Sequence, residues 1–189
     1  MQETLRRTQK ERSDTMRAAL LRSGRALFVR QGYTDTSTPD IVASAGVTRG
    51  ALYHHFADKA ALFEAVIRTE AKAVATAIED AEFGGLSPIE TLVQGGEAYL
   101  AAMRAPGRTR LLLVQAPAVL PPEVLARIDG STGGRTLAEG LAAAGIADPG
   151  PLSALLSAAC ERAALAIDKG DSPGPWRTAL ERLVRGAVR

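Results

Sequence analysis

Apolar residues recur at helical spacing along most of the chain, and no stretch of any length alternates as a β-strand does. Near the N-terminus, Met16, Leu20 and Leu27 are spaced so that they share one face of a helix. This predicted helix spans residues 13–31, and Gly32 supplies its stop signal. The pattern as a whole predicts an all-α fold.

Residues 1–12 differ from the predicted helix after them because they are polar and have no apolar face. We expect them to form a flexible basic arm in front of the first helix. The basic side chains of this arm are Arg6, Arg7, Lys10 and Arg12.

Clusters of proline and glycine divide the chain beyond residue 83, because proline favours the first turn of a helix and glycine the position after its end. With a long helix from about residue 58 to residue 81 and two short helices before it, these clusters predict about nine helices. The C-terminal helices are expected at residues 87–103, 108–115, 122–144, 149–168 and 175–188. Glycines at positions 130, 133 and 134 make a break within 122–144 possible.

The charged residues are distributed unevenly along the chain. Residues 1–60 carry 10 basic and 6 acidic side chains, whereas the remaining residues carry 13 basic and 15 acidic ones. The net charge is therefore +4 in the first part and −2 in the second. This distribution is expected of a protein in which a small basic module binds a polyanion and the rest of the chain has another function. Because only 4% of the residues are aromatic, the core must consist mainly of Leu, Ala and Val.

Scarce residue types disfavour several classes of function. The single cysteine, Cys160, excludes an internal disulfide framework and a cysteine-rich zinc site, and we expect a packed thiol. The two histidines are adjacent, so on a helix they point in different directions and predict neither a metal site nor a catalytic triad. The polar N-terminus and the lack of a long apolar run predict a soluble cytoplasmic protein without a membrane partner. We expect no enzyme and no cofactor.

Between residues 37 and 59, capping and terminating residues come so close together that two short helices must meet at a tight turn. Ser37 or Thr38 is placed to cap the first of these helices. Gly46 is placed to end it, since glycine adopts a left-handed conformation readily. Thr48 is placed to cap the second helix. The sequence thus predicts a helix-turn-helix unit.

The second short helix presents a face suited to a DNA groove, because its apolar residues, four positions apart, point the other way. The hydroxyls of Thr48 and Tyr53 suit phosphates, and the guanidinium of Arg49 suits a guanine edge. Lys59, at the start of the following helix, is expected to bind a phosphate together with free backbone N–H groups. The outward-facing residues are Arg49, Gly50, Ala51, Tyr53 and His54.

The run GYTDTSTPDIVASAGVTRGALYHHFADKAALFEAV resembles the signature of tetracycline-repressor-type regulators, the TetR family. The resemblance extends over residues 13–66, and beyond them only the helical organisation is similar. Ala60 departs from the pattern, which often has Glu there, and this weakens the start of that helix slightly. The resemblance implies that Thr48, Arg49, Gly50, Ala51, Tyr53 and His54 line the recognition helix, and that Ser37, Thr38 and Lys59 contact phosphates. It also implies that His55 is a structural or backbone-contacting residue.

Two amphipathic helices at the C-terminus, as in that family, imply a homodimer held by a four-helix bundle. The apolar stripe of the last helix includes Leu180 and Leu183. A two-fold symmetric dimer would read a palindromic operator in double-stranded DNA. The expected division of the chain is an arm over 1–12, a DNA-binding domain over 13–58 and an effector-binding and dimerisation domain over 59–189.

A repressor released from its operator by a small-molecule effector is the leading hypothesis. Its effector pocket is expected among the helices between residues 59 and 168. The candidate lining residues, chosen as polar or bulky groups within apolar helices, are Gln94, Tyr99, Met103, Arg110 and Gln115. The alternative is a DNA-binding module without a small-molecule ligand, regulated by a protein partner. An enclosed cavity in the C-terminal body would favour the first hypothesis over the second.

Overall fold

The computed structural model describes residues 2–81 and 84–188, with side chains from residue 9 onward. All regular secondary structure in these ranges is helical, so the all-α prediction is confirmed. The helices are α1 (Gln2–Gln31), α2 (Thr38–Ala45), α3 (Arg49–His55), α4 (Lys59–Glu79), α5 (Pro88–Met103), α6 (Arg108–Arg110), α7 (Ala116–Val119), α8 (Pro122–Asp129), α9 (Gly133–Ala143), α10 (Pro149–Asp168) and α11 (Pro173–Ala187), and a π-helical turn, Leu111–Gln115, joins α6 to α7.

The N-terminal helix is longer than the sequence predicted. It begins at Gln2, so residues 2–12 continue α1 and do not form a separate non-helical arm. These residues lack an apolar face, but most of them are good helix formers, and extending an existing helix costs little. Lys10 and Arg12 are exposed along this extension, whereas the side chains of Arg6 and Arg7 lie outside the described ones.

The predicted segment 122–144 is divided, because the chain turns at residues 130–132 between α8 and α9. The predicted segment 108–115 continues to Val119, since the π-helical turn passes directly into α7.

The chain divides into two compact units, and the division falls within α4. Unit 1 comprises the residues up to 68 together with 118–120, and unit 2 comprises residues 69–117 and 121–189.

Unit 1 has a core of aromatic and leucine side chains contributed by α1 to α4. Phe28 of α1 meets Phe63 of α4 edge-on, with ring centroids 5.0 Å apart. Tyr33 packs against the same Phe63 ring at 4.9 Å. Burying side chains of this size contributes about 1.5–3 kcal/mol each, which is enough to hold the two short helices α2 and α3 against α1 and α4. Further fully buried side chains of this core are Leu20, Ile41, Leu52, Leu62 and Ile67.

In its described residues, unit 2 has two apolar clusters and one buried ion pair. One cluster joins α4, α5 and α10, and the other joins α5, α9, α10 and α11. Arg108, at the start of α6, places its Nε 2.9 Å from Oε2 of Glu70 on α4. The same guanidinium donates a hydrogen bond of 2.6 Å to the carbonyl of Ala102. This pair therefore ties α4 to the chain immediately after α5.

Candidate nucleic-acid interface and ligand cavity

The turn between α2 and α3 is held by local contacts that the sequence encodes. Ser37 and Asp40 form a capping box at the start of α2: the Ser37 hydroxyl accepts from the Asp40 N–H at 3.2 Å and donates to its carboxylate at 2.6 Å. Gly46 ends α2 with a φ of 65°, a conformation that costs other residues about 1–2 kcal/mol. The N–H of Val47 then bonds back to Val42 at 3.1 Å, which completes the turn.

Helix α3 has one buried face and one exposed face. Thr48 caps the helix by accepting a hydrogen bond of 3.2 Å from the N–H of Ala51. Leu52 is fully buried and Phe56 nearly so, which fixes the rotation of the helix on unit 1. The residues thereby turned to solvent are Arg49, Gly50, Tyr53 and His54, with Ala51 half-buried. The outward face predicted from the spacing is therefore present in the structure.

Arg49 and Tyr53 form a pair on this outward face. The guanidinium carbon of Arg49 lies 5.5 Å from the centroid of the Tyr53 ring, within the range of a cation–π contact. The ring therefore supports the arginine side chain, while the Tyr53 hydroxyl adds a polar group to the same face. An arginine held in this way loses less conformational entropy when it binds a planar acceptor.

His55 differs from His54 because it faces the core of unit 1. Its Nε2 atom is buried and, in the described part of the chain, has no hydrogen-bond partner. Burial lowers the pKa of His55, and the neighbouring His54 and Arg17 lower it further. The ring is thus neutral at pH 7, which agrees with the structural role that the resemblance implied.

Lys59 makes contacts that the sequence did not predict. Its Nζ donates hydrogen bonds of 2.9 Å to the carbonyls of Tyr33 and Thr36, and it lies 4.2 Å from the centroid of the Tyr33 ring. Two of its three donors are therefore used to fix the chain between α1 and α2. This geometry indicates that Lys59 positions the helix-turn-helix, and at most one N–H remains for a phosphate. Of the other predicted phosphate contacts, Ser37 is exposed and Thr38 is half-buried.

A cavity of about 150 Å³ lies within unit 2 and is bounded by α4, α5, α8, α9, α10 and α11. Its walls are mostly apolar, with Ile78, Leu92 and Leu156 among them. Four glycines also line it: Gly95, Gly96, Gly133 and Gly140. Gly95 and Gly96 lie inside α5, where a glycine costs about 1 kcal/mol relative to alanine, so they leave space at the expense of helix stability. A Cβ atom at Gly140 would lie 2.9 Å from the Leu92 side chain, so that glycine allows α9 to pack closely on α5.

The five residues predicted to line an effector pocket are not brought together. Tyr99 lines the cavity. Gln94 and Arg110 are exposed, Met103 is buried in an apolar cluster, and Gln115 is buried away from the cavity wall. The prediction selected residue types, whereas the rotation of each helix decides which residues meet. The paired glycines of α5 were a signal in the sequence that could have indicated the open space.

Titratable side chains line one part of the cavity. Burial, followed by the charge of Glu161, raises the pKa of Tyr99 above its ordinary value. The same two causes raise the pKa of Cys160 to about 11, so its thiol is protonated at pH 7. Burial and the charge of Asp129 raise the pKa of Glu161. Glu97 is paired with Arg177, whose Nε lies 2.9 Å from its Oε2.

Comparisons with known proteins cover both units. The family model described as "Bacterial regulatory proteins, tetR family" matches residues 20–66. The model described as "Tetracyclin repressor-like, C-terminal domain" matches residues 89–187, which is more than half of the chain.

Curated relatives are similar mainly in the N-terminal part. The HTH-type transcriptional repressor BepR of Brucella suis is 34% identical over 97 residues, which cover 51% of this chain and 46% of BepR. The HTH-type transcriptional regulator TtgR of Pseudomonas putida is 41% identical over 63 residues, which cover 33% of this chain and 30% of TtgR. The chain spans less than half the length of these relatives.

Solved structures match nearly the whole chain. A putative tetR family transcription regulator from Shewanella sp. PV-4 has a TM-score of 0.75 at 25% identity, over 91% of this chain and 97% of its own. A putative transcriptional regulator from Saccharomonospora viridis, solved in complex with choline, has a TM-score of 0.70 at 19% identity, over 89% and 95%. The second likeness concerns the fold alone.

Proposed function

Because the chain belongs to the TetR family of bacterial regulatory proteins, we propose that it is a homodimeric repressor, released from a palindromic operator when a small molecule fills the cavity of unit 2. The observation that carries the DNA-binding part is the exposed face of α3, where Arg49 and Tyr53 stand next to a helix start capped by Thr48. A helix presented in this way suits the major groove, where an arginine reads guanine through two hydrogen bonds.

Arg49 and Tyr53 are expected to contribute to different parts of DNA binding. Arg49→Ala removes the group that reaches a base edge, so we expect a loss of about 1–3 kcal/mol on the operator and a relaxed preference at one position per half-site. Tyr53→Phe keeps the ring beneath Arg49 and removes only the hydroxyl, so it should weaken binding to operator and random DNA alike. Fluorescence anisotropy on operator and scrambled duplexes measures both effects.

Arg185→Ala is the matched control, because Arg185 is an exposed arginine of α11 that pairs with Glu181. It should bind both duplexes as the unsubstituted protein does. If Arg49→Ala left the discrimination between operator and scrambled DNA intact, the assignment of base reading to Arg49 would be wrong.

The homodimer is proposed to form through exposed apolar side chains of α10 and α11. Leu155 of α10 is 70% exposed and Leu183 of α11 is 46% exposed, which is unusual for large apolar side chains. The sequence placed Leu180 in the same stripe as Leu183, but Leu180 lines the cavity. Leu155 and Leu183 are therefore the residues through which a second copy would be recognised.

Replacing Leu155 and Leu183 together with Glu should give monomers, because each buried leucine would otherwise contribute about 1.5–3 kcal/mol to association. Sedimentation velocity measures the change in mass. Val114→Glu is the control, since Val114 is 51% exposed on the π-helical turn and not on α10 or α11. A double variant that still sediments as a stable dimer would place the interface on another surface.

The cavity supports regulation by a small molecule rather than by a protein partner alone. A ligand releases DNA only if it binds the released state more tightly than the DNA-bound state. A cavity bounded by the last part of α4 and by α5, α8, α9, α10 and α11 offers a site where such a difference could arise. Within the described residues, no helix is long and apolar enough to cross a membrane. A cytoplasmic location is part of the proposal.

The proposal is tested by selecting bound duplexes from a random DNA pool and then screening compounds for their release. The expected result is enrichment of an inverted repeat. Enrichment of no sequence above the starting pool would contradict sequence-specific binding, and an enriched sequence without symmetry would contradict binding by a two-fold symmetric dimer.

A further inference from the structure

The dimensions of the cavity limit the body of its ligand. A cavity of roughly 150 Å³ with apolar walls holds a molecule about the size of benzene. The walls here are apolar along Ile78, Leu92, Leu137 and Leu156. An apolar body with a single ring or a short branched chain therefore fits this space.

The acidic side chains that line the cavity outnumber the basic ones. Glu97 pairs with Arg177 at 2.9 Å, and Glu181 pairs with Arg185 at 2.9 Å. Asp129 and Glu161 also line the cavity, and neither makes an ion pair within the described parts of the chain. The lining thus presents two carboxylates whose charge no side chain there neutralises.

These two carboxylates and one aromatic ring, that of Tyr99, line the same cavity. Burial and then Asp129 raise the pKa of Glu161, which places the two acids within electrostatic reach of each other. Glu161 and Asp129 both raise the pKa of Tyr99, so the phenol is within electrostatic reach of both of them. An aromatic ring and carboxylates in one lining are the chemistry that recognises an organic cation.

Asp129 is held in place by the absence of a side chain at the start of α9. A Cβ atom added at Gly134 would overlap the Asp129 carboxylate. The carboxylate therefore rests against the first turn of α9, where the positive end of the helix dipole favours a negative charge. The packing of the Asp129 carboxylate against Gly134 therefore fixes its position beside the cavity.

We infer that the ligand of this cavity is a small monocation with an apolar body, whose charged group lies among Tyr99, Asp129 and Glu161. This inference rests on the proposed function in taking the cavity to be a ligand site. An anion would add a third negative charge beside two carboxylates that have no ion-pair partner in the described residues, whereas a cation would be attracted to both. A cation is therefore the ligand charge that this part of the lining favours, while its body fills the apolar space.

Three probes with one carbon framework test the charge preference: benzylammonium, benzyl alcohol and benzoate. Isothermal titration calorimetry on the full chain at pH 7 should show benzylammonium binding on the order of tenfold more tightly than benzyl alcohol, with benzoate the weakest. Gly96→Leu should abolish binding of all three, because a Cβ at Gly96 meets nothing within 4 Å and the larger side chain can occupy the cavity.

Asp129→Asn combined with Glu161→Gln should remove the preference for the cation while benzyl alcohol still binds. The matched control is Glu139→Gln, because Glu139 is an exposed acid of α9 that pairs with Arg135 and does not line the cavity. It should keep the full preference. Should the double variant not fold, the order of the three probes on the unsubstituted chain decides the matter.

Equal binding of the three probes, tighter binding of benzoate, or no binding of any of them would overturn the inference. So would an unchanged preference in a folded double variant. These results are separate from the DNA measurements. If an operator is enriched but the probes show no cation preference, the proposed repressor function is supported and the inferred ligand class is wrong. If the cation binds but no operator is enriched, the inferred ligand class is supported and the proposed repressor function is wrong.

Discussion

Replacing Arg108 with Ala is expected to lower the free energy of unfolding by about 3–5 kcal/mol. The side chains of Arg108 and Glu70 are only 14% and 7% exposed, so the substitution would leave the Glu70 carboxylate buried without the guanidinium beside it. It would also remove the hydrogen bond to the carbonyl of Ala102. A loss of this size is a large fraction of the stability of an ordinary domain, which is about 5–15 kcal/mol.

Arg68→Ala is the matched control for this substitution. Arg68 pairs with Glu64 at 2.7 Å, but both side chains are substantially exposed, and such pairs contribute about 0–1 kcal/mol. The double variant Glu70→Leu with Arg108→Met should recover most of the stability, because it removes both charges at once. Urea denaturation monitored by circular dichroism, at one protein concentration, measures all three. Equal losses for Arg108→Ala and Arg68→Ala would contradict a stabilising role for the buried pair.

DNA binding should weaken by a factor of about 10³–10⁵ when salt rises from 50 to 200 mM, as for proteins that contact 6–10 phosphates. The net positive charge is concentrated in residues 1–60, which carry 10 basic and 6 acidic side chains. A dimer doubles these contacts, and each phosphate that is neutralised releases a counterion. The slope of log K against log salt, from anisotropy titrations, measures the number of phosphates bound.

Duplexes of one length with operator and scrambled sequences provide the comparison for this effect. Both should show a steep slope, because phosphate contacts do not depend on sequence. A change of less than tenfold over the same salt range would contradict binding through a basic module.

The helix-turn-helix could be predicted from the sequence because the interactions that form it are local. The Ser37 cap, the left-handed Gly46 and the Thr48 cap each act within five residues of their position, so their order in the chain is enough to define them. The outward face of α3 could be predicted from the four-residue spacing of Leu52 and Phe56.

Contacts between residues far apart in the sequence were not predictable in the same way. The Nζ of Lys59 reaches carbonyls that lie 23 and 26 positions earlier in the chain, and nothing in the local pattern of α4 indicates them. The same limit applied to the effector pocket, because the rotation of α5 turns Tyr99 inward and Gln94 outward. The rotation of α11 likewise turns Leu180 to the cavity and leaves Leu183 exposed, although both residues belong to one amphipathic stripe.

The central claim is that α3 lets this chain distinguish one DNA sequence from others. It is tested most directly by binding isotherms of the full chain on a duplex selected from random DNA and on a scrambled duplex of the same length and composition, at one physiological salt concentration. The account predicts that the selected duplex binds at least about 10³-fold more tightly, as is typical of specific DNA-binding proteins. Equal affinity for the two duplexes would contradict it.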